Sequence, residues 1–232
     1  MRFNAILAGC TLALAALHAA ADPVSGTTSG VWVDPTPSAA PIVTTGVGTA
    51  DFTWGNPLGT PPNRLTFSAT PGGFASVTET PFKVGSISYF NGTTNIGTTP
   101  DSIDLALTLD FVDPAIPAVT SDYTFKLVST LNTSDPDASA DYVFLPSAFS
   151  TTTFVIGGTT YNVKLTGFEN VVGDGFLTSD ALSFHVRELG TASADLFAVV
   201  TTEVAVVPEP QNVALLLAGI GMIGLVARRR RA

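Results

Sequence analysis

The sequence predicts an all-β fold, two antiparallel sheets packed as a sandwich or jelly roll, and three observations carry that prediction. Apolar and polar residues alternate with a period of two in several segments; Thr, Val, Phe, Gly, Pro, Asn and Asp dominate the middle of the chain; and no capped run with helical spacing lies between Asp22 and Val207. Roughly ten to twelve short strands with Gly and Pro turns are expected, and a single sheet that wide would leave one apolar face uncovered. Two packed sheets are the consequence.

The chain begins with a segment of a different kind. Residues 1–21 carry one positive charge at Arg2, an apolar core over residues 5–17 and the small residues Ala19, Ala20 and Ala21 before Asp22. This is the pattern of a secretory signal peptide, cut after Ala21. A lipoprotein box ending at Cys10 ranks second, because it would leave only residues 5–9 as the apolar stretch ahead of the cut.

Residues 22–206 then form one extracytoplasmic β-domain, long enough for a full core and too short for two. Short strands are expected at residues 30–33, 51–54 and 65–69. Residues 87–90 and 93–96 flank Asn91-Gly92, a pair suited to positive φ at both central positions, and predict a tight hairpin. The clearest strand is 103–112, where Ile103, Leu105, Leu107, Leu109 and Phe111 alternate with Asp104, Ala106, Thr108 and Asp110. Tyr123, Phe125 and Leu127 follow the same rule, as do Leu182, Phe184 and Val186. Further strands are expected at 142–145 and 195–206, and a second hairpin joins 153–156 to 160–165 through Gly157-Gly158.

Charge and cysteine content narrow the partners. The sole cysteine, Cys10, lies in the signal, so no disulfide holds the mature domain. The formal charge of −9 understates its acidity, since Arg2 and four C-terminal arginines belong to the ends; only Arg64, Lys83, Lys126, Lys164 and Arg187 remain. Such a surface repels nucleic acid and anionic lipid.

Candidate chemistry is sparse. Outside the signal there is one histidine, His185, on the polar side of a strand, and no G-x-S-x-G elbow; an exposed strand histidine is the expectation. Carboxylates for a remote glycoside hydrolase reading are Glu79, Asp104, Asp110, Glu169, Asp180 and Glu188. The protein is expected not to be an enzyme. Asn132, Asp135, Asp137 and Asp141 sit in one oxygen-rich loop and form a candidate Ca²⁺ site, although an EF-hand would need Gly and Glu where this loop has neither. Trp32, Trp54, Tyr89 and Tyr161 would be the stacking faces of a carbohydrate-binding module for extracellular polysaccharide, with most of them expected to point inward.

The tail, residues 207–232, has three parts in order. Pro208, Glu209 and Pro210 precede an uncharged apolar run expected to form a transmembrane helix over about residues 211–227, and Arg228, Arg229, Arg230 and Arg231 close it. Residues 213–227 rise about 1.5 Å each, roughly 22 Å against a hydrocarbon core of about 30 Å, so the span is short. Four arginines directly after it would stay on the cytoplasmic side and hold the domain outside. This arrangement resembles the PEP-CTERM sorting signal of Gram-negative bacteria, and the tail is also labelled an ice-binding protein C-terminal domain, a label that says nothing of ice binding by this chain.

The resemblance implies a membrane-anchored precursor processed by an exosortase-type enzyme and passed to the cell surface, outer envelope or extracellular matrix. Within the domain, Gly46-Val47-Gly48-Thr49, Phe52-Thr53-Trp54-Gly55, Pro81 to Gly85, Tyr89 to Thr93, Asp141-Tyr142-Val143 and Gly158 to Tyr161 resemble the choice-of-anchor K pattern. That resemblance implies an extracellular β-domain indifferent to how it is tethered, acting as a structural or adhesive surface protein.

Overall fold

A computed structural model describes residues 21–145 and 152–202. Fourteen elements lie among them, and all are strands. In chain order they are β1 (Pro23–Thr36), β2 (Thr44–Thr45), β3 (Asp51–Trp54), β4 (Asn63–Ala69), β5 (Phe74–Val77), β6 (Phe82–Phe90) and β7 (Ser102–Asp113). They continue with β8 (Val119–Val128), β9 (Asp141–Phe144), β10 (Thr153–Ile156), β11 (Thr159–Gly173), β12 (Gly175–Leu177), β13 (Ser183–Val186) and β14 (Thr191–Thr202). Two antiparallel seven-stranded sheets result, ordered β12-β13-β9-β8-β7-β1-β5 and β10-β11-β14-β6-β4-β3-β2. The two-sheet sandwich expected from the alternation is the fold observed. The expected signal peptide at 1–21 lies outside the described residues except for Ala21, and the expected transmembrane helix lies wholly outside them. Among the described residues no helix is long and apolar enough to cross a membrane.

The alternation in β7 places Ile103, Leu105, Leu107 and Leu109 in the core, each fully buried. Leu65, Ile87, Val163, Leu196 and Ala198 meet them from the second sheet, where they too are buried. Burying a side chain of this size contributes roughly 1.5–3 kcal/mol. This shared layer is therefore what joins the sheets.

Where β1 passes over that layer its inward positions are small: Gly26, Thr28 and Gly30 precede Trp32. The hydroxyl of Thr28 donates to the Val84 carbonyl of the opposite sheet. A Cβ on Gly30 would lie 2.8 Å from the ring of Phe67, and one on Gly85 would lie 2.5 Å from the same ring. Two glycines, one from each sheet, thus make the slot that holds Phe67.

Two local expectations fare differently. The Gly157-Gly158 hairpin forms between β10 and β11, with φ of 57° and 86° at its two glycines. The Asn91-Gly92 hairpin does not form. Neither residue has positive φ, β6 ends at Phe90, and residues 93–96 contain only an isolated bridge between Thr94 and Pro57. Tertiary hydrogen bonds take the pair instead: Asn91 Nδ2 donates to the Val186 carbonyl at 3.0 Å, and the Gly92 N–H donates to Asn63 Oδ1 at 2.8 Å.

Candidate functional site

The sandwich has two poles, and the strand register places different residues at each. At one pole β14 ends, with Thr202 opposite Tyr161 of β11. Both described ends of the domain meet there. The Asp22 N–H donates to Thr78 Oγ1 at 3.0 Å and the Thr78 N–H donates to the Asp22 carbonyl at 2.8 Å. The neighbouring Glu79 N–H donates to the Val200 carbonyl at 2.8 Å, and Glu79 Oε1 accepts the Thr202 N–H at 2.7 Å. The Tyr161 hydroxyl donates to the Asp22 carboxylate, which raises the phenol above its usual range. Asp22, the first residue after the expected cut, and Thr202, which leads into the tail, are thereby joined through Thr78 and Glu79.

At the other pole β14 begins, with Thr191 opposite Phe90. Strand residues rise about 3.3 Å each, so the length of β14 separates the poles by roughly 36 Å. Here the segments after β6, β8 and β13 surround a cleft of about 780 Å³. Threonine and asparagine side chains line much of it, with Asp141 and Glu188 as its acids.

Asp141 is buried, with 5 % of its surface exposed, and accepts the Thr130 N–H at 2.6 Å. Burial pushes its carboxyl up to about 6, against the pull of the Thr130 N–H and with a further push from Glu188. Glu188 Oε1 is positioned by the Thr93 hydroxyl, which donates to it, and by the Asn132 amide at 2.9 Å. The Tyr89 phenol is raised by its complete burial and then by the charges of Asp141 and Glu188.

The sign of the Asp141 shift fixes a pH dependence. Its folded-state pKa lies above the ordinary value of 3.8, so its contribution to stability is present below pH 3.8 and is lost as pH rises through about 6. The cost at pH 7 is at most roughly 3 kcal/mol. Asp141→Asn keeps the oxygen that accepts from Thr130 and removes the charge. Urea denaturation is expected to find the variant more stable than the parent by about 1–2 kcal/mol at pH 8, with the difference gone at pH 3.5. A variant less stable at pH 8 contradicts this account of the cleft.

The residues singled out from sequence are dispersed. In the candidate calcium loop, Asp135 Oδ1 accepts the N–H groups of Asp137 and Ala138, Asp137 pairs with Arg187 at 2.6 Å, Asn132 donates to Glu188, and Asp141 turns to Thr130. Among the described residues no three His, Cys, Asp or Glu side chains gather to hold a metal ion. Of the hydrolase carboxylates, Glu79 sits at the terminal pole, Asp104 and Asp110 point away from the core along β7, and Asp180 closes a turn by accepting from Thr178 and Leu182. Only Glu188 reaches the cleft. Its neighbour there, Asp141, falls in the calcium loop when read in one dimension, and no local signal joins the two.

The aromatic residues also settle into place. Trp32, Trp54, Tyr89 and Tyr161 are at most 2 % exposed, so none presents a stacking face to a sugar. His185 departs from the exposed histidine expected: its ring stacks on Tyr142 at 4.3 Å and on Phe176 at 4.8 Å. The Arg187 guanidinium lies over the Phe176 ring, 5.8 Å from its centre. The buried Nε2 of His185 has no hydrogen-bond partner among the described residues, and desolvation lowers the imidazole pKa. A column of stacked rings on the outer face of the first sheet is what this histidine builds.

Fold and site together define an all-β sandwich with its ends at one pole and an acidic cleft at the other. The PEP-CTERM protein-sorting motif matches residues 206–231, the tail alone. Pro208, Glu209, Pro210 and Arg228 to Arg231 fall within the match, and all lie outside the described residues. The motif implies an exported protein directed to the cell envelope through an exosortase-type sorting signal. No curated protein matches the chain.

Proposed function

We propose that this chain is a non-catalytic structural or adhesive protein of the cell surface or extracellular matrix, secreted behind a signal peptide cut after Ala21 and delivered through its C-terminal tail. The observation that carries the reading is the sorting motif at residues 206–231, placed after a strand that ends beside Asp22. Asp22, next to the first expected cut, and Thr202, the last described residue before the tail, lie at one pole, which agrees with processing at both ends of an intact sandwich. The choice-of-anchor K resemblance agrees with a domain whose work is separate from its tether. The dispersal of the candidate carboxylates and the packing of His185 between two rings support a role without catalysis. A glycan-binding role loses the four aromatic residues that would have served it, since all are core.

Substituting Pro208, Glu209 and Pro210 together by alanine, in a Gram-negative host that carries an exosortase, tests the sorting step. The expected outcome is an uncleaved precursor retained in the inner-membrane fraction, while the unaltered chain reaches the outer envelope or medium. Equal distribution of the two proteins would contradict the proposal.

A further inference from the structure

We propose that the cleft at the pole remote from the tail is a docking site for a protein segment that presents a lysine or arginine flanked by aliphatic side chains. This rests on the adhesive reading above and names the chemistry of its partner.

Three features of the cleft point to that occupant. Its rim carries Leu58, Ile96 and Leu131 at 52, 94 and 78 % exposure, large aliphatic groups left in water at one place. Such a grouping gains free energy when a partner's aliphatic groups cover it. Among the described residues the lining includes two acids, Asp141 and Glu188, and no lysine or arginine. A cation is therefore the complementary charge, and an acidic partner is repelled. The same lining holds no aromatic ring. A sugar would find hydroxyl and amide groups there and no stacking face, whereas an aliphatic–cationic peptide finds a match for each part of itself.

The position of the cleft adds a reason for its use. Glu188 is held in place by Thr93 and Asn132 before any partner arrives, so little ordering is needed on binding. The chain leaves for its tail from the opposite pole, roughly 36 Å away along β14.

Fluorescence anisotropy on the full chain in nanodiscs of zwitterionic lipid tests the proposal. The probe is fluorescein-labelled Gly-Leu-Arg-Leu-Gly amide, compared with the same peptide carrying glutamate in place of arginine. The expected result is saturable binding of the arginine peptide, at least about tenfold tighter than the glutamate peptide, weakened several-fold in about 0.5 M salt. Ile96→Ser with Leu131→Ser removes the rim, and Glu188→Gln removes a charge while keeping an acceptor for Thr93 and Asn132. Each set is expected to weaken binding at least about fivefold, and the rim pair to leave thermal unfolding unchanged, because both of its residues are exposed. No saturable binding at millimolar peptide, equal affinity for the two peptides, or affinity unmoved by either set overturns the proposal. Binding of a neutral hexasaccharide with the same dependence on Glu188 and the rim would also overturn it, assigning the cleft to a glycan. None of these outcomes touches the tail-processing reading, which is scored on cell fractions.

Discussion

Gly30→Val is expected to lower the unfolding free energy by about 3 kcal/mol, at the upper end of what overpacking a core costs. The reason is the slot around Phe67. A Cβ at position 30 would stand 2.8 Å from Cδ1 of that ring and 3.0 Å from Leu105 Cδ1. A flexible side chain at the surface would swing aside; Phe67 is 4 % exposed and has Gly85 against its other edge, where even one added carbon would sit 2.5 Å from Cζ. With neither direction open, the sheets themselves must part. Shortening the ring should relieve the clash: in the double variant Gly30→Val, Phe67→Leu, the loss is expected to be smaller than the sum of the two single losses by at least about 1 kcal/mol. Urea titrations of the four proteins give the cycle, and additive losses would show that the slot is not where the strain falls.

Asn91→Asp is expected to cost at least about 3 kcal/mol at pH 7, although it exchanges only an NH₂ for an oxygen. Asn91 is fully buried, and its Nδ2 donates to the Val186 carbonyl at the end of β13. An aspartate oxygen there would face that carbonyl without a proton between them. The other side-chain oxygen has no partner among the described residues to offset the charge. The sign of the pH effect follows: the folded state raises the pKa of the introduced acid, so the deficit is greatest at neutral pH and shrinks toward pH 3.5, where a protonated acid donates to Val186 again. Thermal unfolding at the two pH values measures it. A deficit that does not change with pH would place the cost elsewhere than in the buried charge.

The contrast between these positions shows what a single sequence discloses. Strands β7 and β8 were legible because each has one face in the core and one in water, so a period of two is written in their side chains. Most of β1 was not, since the inward residue must be small at Gly30 to admit Phe67 and at Gly26, where a Cβ would stand 2.2 Å from the Asp110 carbonyl oxygen, and the apolar half of the pattern is missing. Gly157-Gly158 and Asn91-Gly92 look alike as turn signals, yet only the first turns. The second is held by partners at Asn63, Val186 and Gly190, remote in sequence, and tertiary bonding overrides the local preference. The cleft was illegible for the same reason. Asp141 begins β9 and Glu188 follows β13, and only the antiparallel pairing of those strands, Val186 opposite Asp141, brings them to one end. The tail needed no fold to be read, because Pro208 to Arg231 carries its pattern in consecutive residues.

The intact mass of the mature protein, isolated from the envelope or medium of a host with an exosortase, tests the central claim most directly. The expected polypeptide starts at Asp22 and carries no acyl group and no residue of the arginine cluster. A mass that retains Met1, or that includes Arg228 to Arg231 in the exported fraction, contradicts it.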